Sequence, residues 1–183
     1  VPGPPARPYA RPAGGVGSRV VMDLDRRMSA VTLAPDGSGV AFLAGDSLLK
    51  SEPIGSPPVF LMRVGPGALR SVHWGVDRQL IVASGRLLSR IPASGGKPDT
   101  LLFTSSDSVR QLGTPLLLPD GKAVLFTARM VTTGAELRDE VRVLDLESRK
   151  SRSVVAGSVV SFVEPGFLVY AVDQALVAQA FDL

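Results

Sequence analysis

The single histidine of the chain, His73, is the residue on which proton-transfer chemistry would have to be built. Imidazole titrates near neutral pH, and a serine hydrolase pairs it with a serine and an aspartate. The Gly-x-Ser-x-Gly segment that presents the serine in many such enzymes does not occur in this sequence. His73 also stands beside Trp74 in a predicted β-strand. We therefore predict a structural or exposed strand position for His73, and a Trp74 that is largely buried.

Ser47 and Lys50 have the Ser-x-x-Lys spacing of enzymes that form an acyl-serine intermediate. That spacing works on a helix, where residues three apart lie on one face, whereas in a strand they point to opposite faces. The segment is predicted to be a strand, and the partner motifs of those enzymes are absent. We interpret the match as a coincidence.

Acidic side chains at Asp23, Asp25 and the pair Asp139-Glu140 are the possible ligands of a hard cation. A calcium loop needs further alternating oxygen donors and a glycine turn, so we interpret these groups as solvated carboxylates. The chain contains no cysteine, which excludes thiolate catalysis and cysteine-based metal sites. The sequence therefore predicts no catalytic residue, no metal site and no cofactor, and any catalysis would lie outside this chain.

The composition is that of a folded chain, with 45% hydrophobic and 20% charged residues. The net charge of +3 belongs to the first 19 residues, because the remainder carries 17 basic and 17 acidic side chains. We expect no nucleic-acid partner, since no clustered basic face is visible. No apolar run reaches the roughly 18 residues of a membrane span. The start lacks both a Met and a signal-like segment, so we expect a processed product or part of a longer reading frame.

The elements that must position any site are β-hairpins. Residues 32–44 and 116–128 each contain an apolar run, a Pro-Asp-Gly turn and a second apolar run. Proline presets φ for the first central turn position, aspartate bonds its own backbone, and glycine accepts a positive φ. We interpret six residues as structural turn residues: Pro35, Asp36, Gly37, Pro119, Asp120 and Gly121.

Two weaker copies of the hairpin, at 72–84 and 159–171, make the pattern a repeat. The turns at Asp36, Asp77, Asp120 and Pro165 are separated by 41, 43 and 45 residues. This period is that of the four-stranded blade of a β-propeller. Helical solenoids have similar periods, but the short Val-, Leu- and Phe-rich segments lack a 3.6-residue stripe. We predict an all-β fold, a β-propeller of four-stranded antiparallel blades with about four blades present.

The predicted organisation is a flexible Pro/Gly/Arg-rich linker over 1–18, with a proline-rich ligand as the rival interpretation, and a propeller over 19–183. The predicted units cover about 19–55, 56–96, 97–149 and 150–183. An apolar stretch separates each unit from the next hairpin. We interpret these stretches as the first strands of successive blades: 20–24, 59–64, 100–104 and 153–155.

One long insertion, Met130 to Glu140, interrupts the third unit. It is either a solvated loop between the third and fourth strands or a binding loop on one propeller face, where scaffold loops commonly carry recognition. The candidate binding residues in it are Thr132, Thr133, Arg138, Asp139 and Glu140.

The pattern Leu-x-Pro-Asp-Gly-x-x-Val-x-Phe at 33–42 and 116–126 resembles TolB-like propellers, also called WD-like β-propeller repeats. The segment 90–98 and the ending 178–182 are similar to the propeller half of bacterial membrane-attached serine/threonine kinases. This resemblance implies a periplasmic or extracytoplasmic binding or sensor module for a protein or small ligand. The alternative is the accessory propeller of a kinase or a prolyl-peptidase-like hydrolase. Kinase motifs are absent from this chain.

The number of units departs from that family, whose propellers close with six or more blades, whereas four are visible here. Either blades are missing, or a partner closes the ring, or the four close alone. An open propeller leaves unpaired strand edges, so we expect possible self-association through open blade edges.

Overall fold

The computed structural model describes residues 9–10, 19–20, 28–65, 70–132 and 134–182, and within them it contains 17 β-strands and no helix. Strands β1 (Tyr9–Ala10) and β2 (Arg19–Val20) pair with each other in an antiparallel ribbon. Apart from Tyr9–Ala10, the predicted linker lies outside the described residues.

The remaining strands form four antiparallel sheets, each built by strands that follow one another along the chain. Sheet I consists of β3 (Met28–Leu33), β4 (Val40–Ala44), β5 (Ser47–Ser51) and β6 (Val59–Arg63). Sheet II consists of β7 (Arg70–Trp74), β8 (Gln79–Ser84), β9 (Leu87–Pro92) and β10 (Asp99–Phe103). Sheet III consists of β11 (Val109–Leu117), β12 (Ala123–Val131), β13 (Leu137–Asp145) and β14 (Ser151–Ala156). Sheet IV has three strands, β15 (Ser158–Val163), β16 (Phe167–Val172) and β17 (Ala175–Ala180).

The second strand of each of the first three sheets is apolar along nearly its whole length because both of its faces are packed. In β4 all five residues are buried. In β12, Phe126 belongs to the core between sheets II and III, while Leu125 on the opposite face belongs to the core between sheets III and IV. A third core, which contains Trp74, lies between sheets I and II. The sheets therefore pack face to face in chain order, as propeller blades do.

The predicted all-β propeller is confirmed, and its sheets are not closed into a ring. Sheet IV covers one face of sheet III, and its own outer face is apolar and exposed. On that face Val163 is 48%, Phe167 43% and Leu176 68% exposed. Sheet IV therefore has the two apolar faces of an interior blade with only one of them covered by the described residues.

The predicted phase of the strands within the repeat is wrong. Strand β6 pairs with β5, β10 with β9, and β14 with β13, so each of these is the outermost strand of the preceding sheet. The interpretation of 59–64, 100–104 and 153–155 as first strands therefore fails, and the sheets are offset from the predicted units. The apolar pattern alone does not specify the partner strand. Connection length does not specify it either, because 7, 6 and 5 residues precede β6, β10 and β14, and 6, 5 and 1 residues follow them. Of the predicted strand at 20–24, only Val20 is described.

The Pro-Asp-Gly turns need glycine at their last position, because Gly37 and Gly121 both have φ of +71°. Gly121→Val should lower the free energy of unfolding by about 1–2 kcal/mol, since a β-branched residue is strained in the left-handed region. Thermal melting measures the effect. No neighbouring atom lies within 4 Å of a Cβ built at Gly121, so backbone strain alone accounts for the loss. An unchanged melting temperature would contradict this account of the turn.

Candidate functional site

The three clearest hairpin turns are fixed by an aspartate that accepts a hydrogen bond from the backbone N–H two residues ahead. Asp36 Oδ1 accepts from Ser38 at 2.9 Å and Asp120 Oδ1 from Lys122 at 3.0 Å. Asp77 Oδ1 accepts from Gln79 at 3.0 Å, although its turn lacks the Pro-Asp-Gly sequence. Such Asx turns set the register of the hairpin. They also bring Pro35 and Pro119 to the same place at the centre of the sheet array.

At that centre the innermost strands β3, β7, β11 and β15 converge on a cavity of about 340 Å³, which we call the central cleft. Every one of the four sheets contributes to it. The cleft is lined by Thr32, Leu33, Pro35, His73, Trp74, Val76, Leu116, Leu117, Pro119, Ser161 and Phe162. Concave, mainly apolar cavities with a few polar groups are the usual form of small-molecule sites.

His73 is the polar ring of the central cleft. Burial lowers its pKa below the usual 6.5, and the charge of Asp77 opposes that effect only in part. The imidazole is therefore neutral at pH 7, with one ring nitrogen as a donor and the other as an acceptor. Within the described chain, no hydrogen bond to the ring of His73 is present.

Trp74 packs beneath the cleft between sheets I and II. Its side chain is 2% exposed, which confirms the predicted burial. A Cβ built at Gly39 would lie 3.0 Å from the Cη2 atom of Trp74, so glycine at 39 lets the indole approach the neighbouring turn. The indole Nε1 has no hydrogen-bond partner among the described residues. Trp74 is the single tryptophan of the chain, so tryptophan signals come from this one position, which lines the cleft and belongs to the core between sheets I and II.

The predicted binding loop is mostly strand. Strand β12 continues to Val131 and β13 begins at Leu137, so the insertion is the tip of a long hairpin between the second and third strands of sheet III. Thr132 closes the tip, donating its backbone N–H to the Glu136 carbonyl at 2.9 Å. Thr133 lies outside the described residues. The predicted position between the third and fourth strands is therefore wrong.

The charged residues of this hairpin are largely engaged with protein groups. Asp139 accepts hydrogen bonds from Arg129 at 2.8 and 3.0 Å and from the Ser158 hydroxyl at 2.7 Å. These partners lower the pKa of Asp139 and join sheet III to sheet IV. Glu140 accepts a hydrogen bond from Arg142 at 3.3 Å. Asp139 thus stabilises a sheet junction.

Arg138 is the exposed residue among the described members of the predicted set, and it lines an open side cavity of about 780 Å³ between sheets III and IV. Arg129, Asp139 and Asp173 line the same cavity. The charged lining makes it a second candidate recognition surface of quite different chemistry from the central cleft.

The other sequence candidates remain apart from the cleft. The Ser47 hydroxyl donates to Asp46 at 3.0 Å, and Lys50 Nζ donates to Glu52 at 2.9 Å. No bond joins Ser47 to Lys50 in the described structure.

Asp23 and Asp25 lie outside the described residues. Among the residues that are described, no cluster of three potential metal ligands occurs, and no helix could span a membrane.

Glu52 anchors the junction between sheets I and II. Its carboxylate accepts hydrogen bonds from Lys50, from Arg78 at 2.8 Å and from the Ser38 hydroxyl at 3.1 Å. The Lys50 and Arg78 contacts are the main cause that lowers the pKa of Glu52 from 4.5 to about 2. Stability from this group is therefore present above pH 4.5 and is lost as pH falls toward 2.

Glu52→Gln should lower the free energy of unfolding by about 1 kcal/mol at pH 7, a modest value because Arg78 is more than half exposed. The difference from wild type should shrink as pH falls from 4.5 toward 2, where Glu52 itself becomes protonated. Urea unfolding at several pH values measures both effects. The control is Asp107→Asn, since Asp107 is fully exposed and 3.8 Å from Arg86. A difference that is independent of pH would contradict the assignment.

Sequence reasoning missed the central cleft because its residues come from four hairpins about 40 residues apart. One sequence signal could have indicated the cleft: an apolar residue immediately before or within each of the three Asx turns. Leu33, Val76 and Leu117 occupy such positions, and the first two are 61% and 62% exposed. Exposed apolar residues that gather in one cavity indicate a site more strongly than any of them does singly.

Comparison with known proteins identifies structures of the same fold, and it identifies no sequence family. No family model matches the chain, and no curated protein is significantly similar to it. The solved structure of TolB from Acinetobacter baumannii superposes with a TM-score of 0.70 at 15% identity, covering 90% of this chain and 43% of that chain. The chain is therefore a β-propeller protein with the architecture of TolB-like propellers.

Two further neighbours have different roles. An extracellular domain from a hybrid two-component system of B. thetaiotaomicron superposes with a TM-score of 0.57 at 14% identity, over 84% of this chain and 22% of that chain. A luciferin-regenerating enzyme gives a TM-score of 0.60 at 10% identity, over 85% and 56%. The chain thus spans less than two thirds of each of these proteins. These neighbours are an extracellular domain of a two-component system and an enzyme, so the shared fold does not specify function, which must be argued from the site.

Proposed function

We propose that this chain is a non-catalytic binding or sensor module whose ligand occupies the central cleft. The observation that carries the proposal is the convergence of all four innermost strands on one cavity, in which Leu33 and Val76 are exposed. The ring of His73 lines this cavity and has no hydrogen bond within the described residues. Exposed apolar side chains are unfavourable in water, so a ligand that covers them gains binding free energy.

The non-catalytic part of the proposal rests on the surroundings of His73. A general base needs a nucleophile within hydrogen-bond reach and a group that orients its ring. The Ser161 hydroxyl, which also lines the cleft, donates to the Phe162 carbonyl at 3.4 Å. Within the described residues no carboxylate is hydrogen-bonded to His73. The arrangement suits recognition better than proton transfer.

A thermal-shift screen with a fragment library of neutral and charged compounds tests this proposal. Compounds that stabilise the wild-type chain should lose their effect in Val76→Lys, which blocks the cleft from an exposed position. The matched control is Leu137→Lys, because Leu137 is 54% exposed and lines the side cavity. Compounds sensitive to Leu137→Lys and indifferent to Val76→Lys would place binding in the side cavity and contradict the proposal.

The wider context is also proposed here: a periplasmic part of a larger bacterial signalling protein, associated with a serine/threonine kinase. Two features support it, the similarity of segments 90–98 and 178–182 to kinase-linked propellers and the fold likeness to an extracellular sensor domain. The native gene product should then sediment with the cell envelope, and protease added to spheroplasts should digest the propeller. Protection from that protease would contradict a periplasmic location.

Self-association through the open end of the array is the partner interaction that the structure favours. The outer face of sheet IV carries Val163, Phe167 and Leu176 without a charged residue among them. Leu176→Lys should reduce concentration-dependent oligomers in light scattering by several-fold, because a charge on this face opposes apolar packing. Leu137→Lys again serves as the exposed control. Equal oligomer content in both variants would show that this face is not the contact.

A further inference from the structure

We infer that the central cleft selects an uncharged, largely apolar small molecule with one hydrogen-bonding group, and that it rejects charged molecules of the same size. The inference rests on the proposed function and narrows it to a ligand class.

The charge of the lining residues gives the selection. None of the eleven residues that line the cleft is Asp, Glu, Lys or Arg. By contrast, the side cavity contains Arg129, Arg138 and Asp139, and a third cavity, beside sheet III, contains Lys122 and Lys150. A charged ligand that enters the central cleft loses hydration and meets no charged side chain in the lining, which is unfavourable. Asp77, whose charge acts on His73, lies outside the lining.

The hydrogen bonds that the polar lining groups already make indicate which of them can bond to a ligand. The Thr32 hydroxyl already accepts from the Trp74 backbone at 3.3 Å and donates to the Leu33 carbonyl at 3.5 Å. The Ser161 hydroxyl donates to the Phe162 carbonyl at 3.4 Å. Two polar side-chain groups in the lining have no hydrogen bond to the described chain, the His73 ring and the Trp74 indole Nε1. The indole nitrogen is buried, so His73 is the group that a ligand can reach. A ligand hydroxyl or amide can satisfy the neutral imidazole, which both donates and accepts.

The size and shape fit a compact molecule. A volume of about 340 Å³ is near the lower end of the roughly 300–1,000 Å³ found for small-molecule sites. Trp74 and Leu117 are buried in the lining, whereas Leu33 and Val76 are exposed. The ligand's apolar part therefore rests against the buried pair and covers the exposed pair.

Three probes of matched size test the selection at pH 7: benzyl alcohol, which is neutral, benzoate, an anion, and benzylammonium, a cation. His73 and Trp74 are the single histidine and tryptophan, so their ring resonances in NMR titrations report on the cleft without assignment of other residues. We expect benzyl alcohol to shift both resonances and to bind at least about tenfold more tightly than either ion, because neither ion has a partner charge among the lining residues.

A matched pair of variants tests the cause. Leu33→Lys places a cation at the cleft and should favour benzoate over benzyl alcohol. Val31→Lys is the control, since Val31 is 57% exposed on the same strand and does not line the cleft. It should leave the wild-type order of affinities intact.

The outcomes separate this inference from the proposed function. If either ion shifts the His73 and Trp74 resonances at the same or lower concentration than benzyl alcohol, the inference is overturned while the cleft remains a binding site. If no probe and no compound from the thermal-shift screen moves either resonance, the inference and the proposed function fail together.

Discussion

Phe126→Ala should lower the free energy of unfolding by about 3–5 kcal/mol, among the largest effects expected for a single substitution in this chain. Phe126 is 0% exposed, and it packs with Ile81, Leu88 and Leu144 in the core between sheets II and III. Removing the ring leaves a cavity in addition to the lost burial of apolar surface. A typical domain has only about 5–15 kcal/mol of stability, so much of the margin disappears.

Chemical unfolding of the purified chain, followed by circular dichroism, measures this loss. The control is Phe103→Ala, because Phe103 is 66% exposed on the outermost strand of sheet II. That variant should stay within about 0.5 kcal/mol of wild type, as surface substitutions usually do. Similar losses for the two variants would mean that the face of β12 which carries Phe126 is not a core face.

Gly157→Ala should lower the free energy of unfolding by about 2–3 kcal/mol, since it combines backbone strain with a collision. Gly157 lies between β14 and β15 with φ of +131°. A Cβ there would lie 2.5 Å from the Ala171 carbonyl oxygen and 3.0 Å from Tyr170 Cδ2. The Gly157 N–H also donates to the Asp139 carbonyl at 2.8 Å. Relief of the collision would have to move sheet IV away from this junction.

The comparison variant for Gly157→Ala is Gly113→Ala. Gly113 lies in β11, its φ is outside the left-handed region, and a Cβ there meets no atom within 4 Å. Melting temperatures should fall by several degrees for Gly157→Ala and hardly at all for Gly113→Ala. A wild-type melting temperature for Gly157→Ala would contradict the described path of the chain between sheets III and IV.

The fold class follows from the sequence because the hairpin turns have local causes. Proline, aspartate and glycine in that order determine a turn whatever lies far away, and the spacing of the turns gives the blade period. The burial of Trp74 follows as well, from a large apolar side chain in a predicted hairpin strand. These features need no knowledge of which strand is whose neighbour.

The assignment of strands to sheets and the length of β12 and β13 do not follow from the sequence, because both depend on which strands pair with each other. Strand β6 has the same apolar character whether it pairs with the preceding or the following strand. The charged residues near 138–140 looked like a loop, yet Asp139 lies opposite Arg129 in the ladder and bonds to it. A cross-strand ion pair gives charged residues a place in a strand that composition alone does not indicate.

The central cleft is the least predictable feature, because it exists only after four hairpins have assembled. Thr32, His73, Leu116 and Phe162 are each ordinary strand residues in their own segments. They share a position on the innermost strand of their sheets. That position is set by how whole sheets pack together, and no local sequence pattern indicates it.

Because the four sheets do not close into a ring, they are not expected to unfold in a single step. Among the described residues, each sheet packs on its neighbours in chain order, and sheet IV has one neighbour and three strands. In a linear arrangement of this kind, stability is a sum of units and nearest-neighbour interfaces, and the end units open first. Sheet IV can therefore detach while the cores around Trp74 and Phe126 stay intact. Since β15 supplies Ser161 and Phe162 to the central cleft, such opening would widen the cleft and give a ligand a route of entry and release.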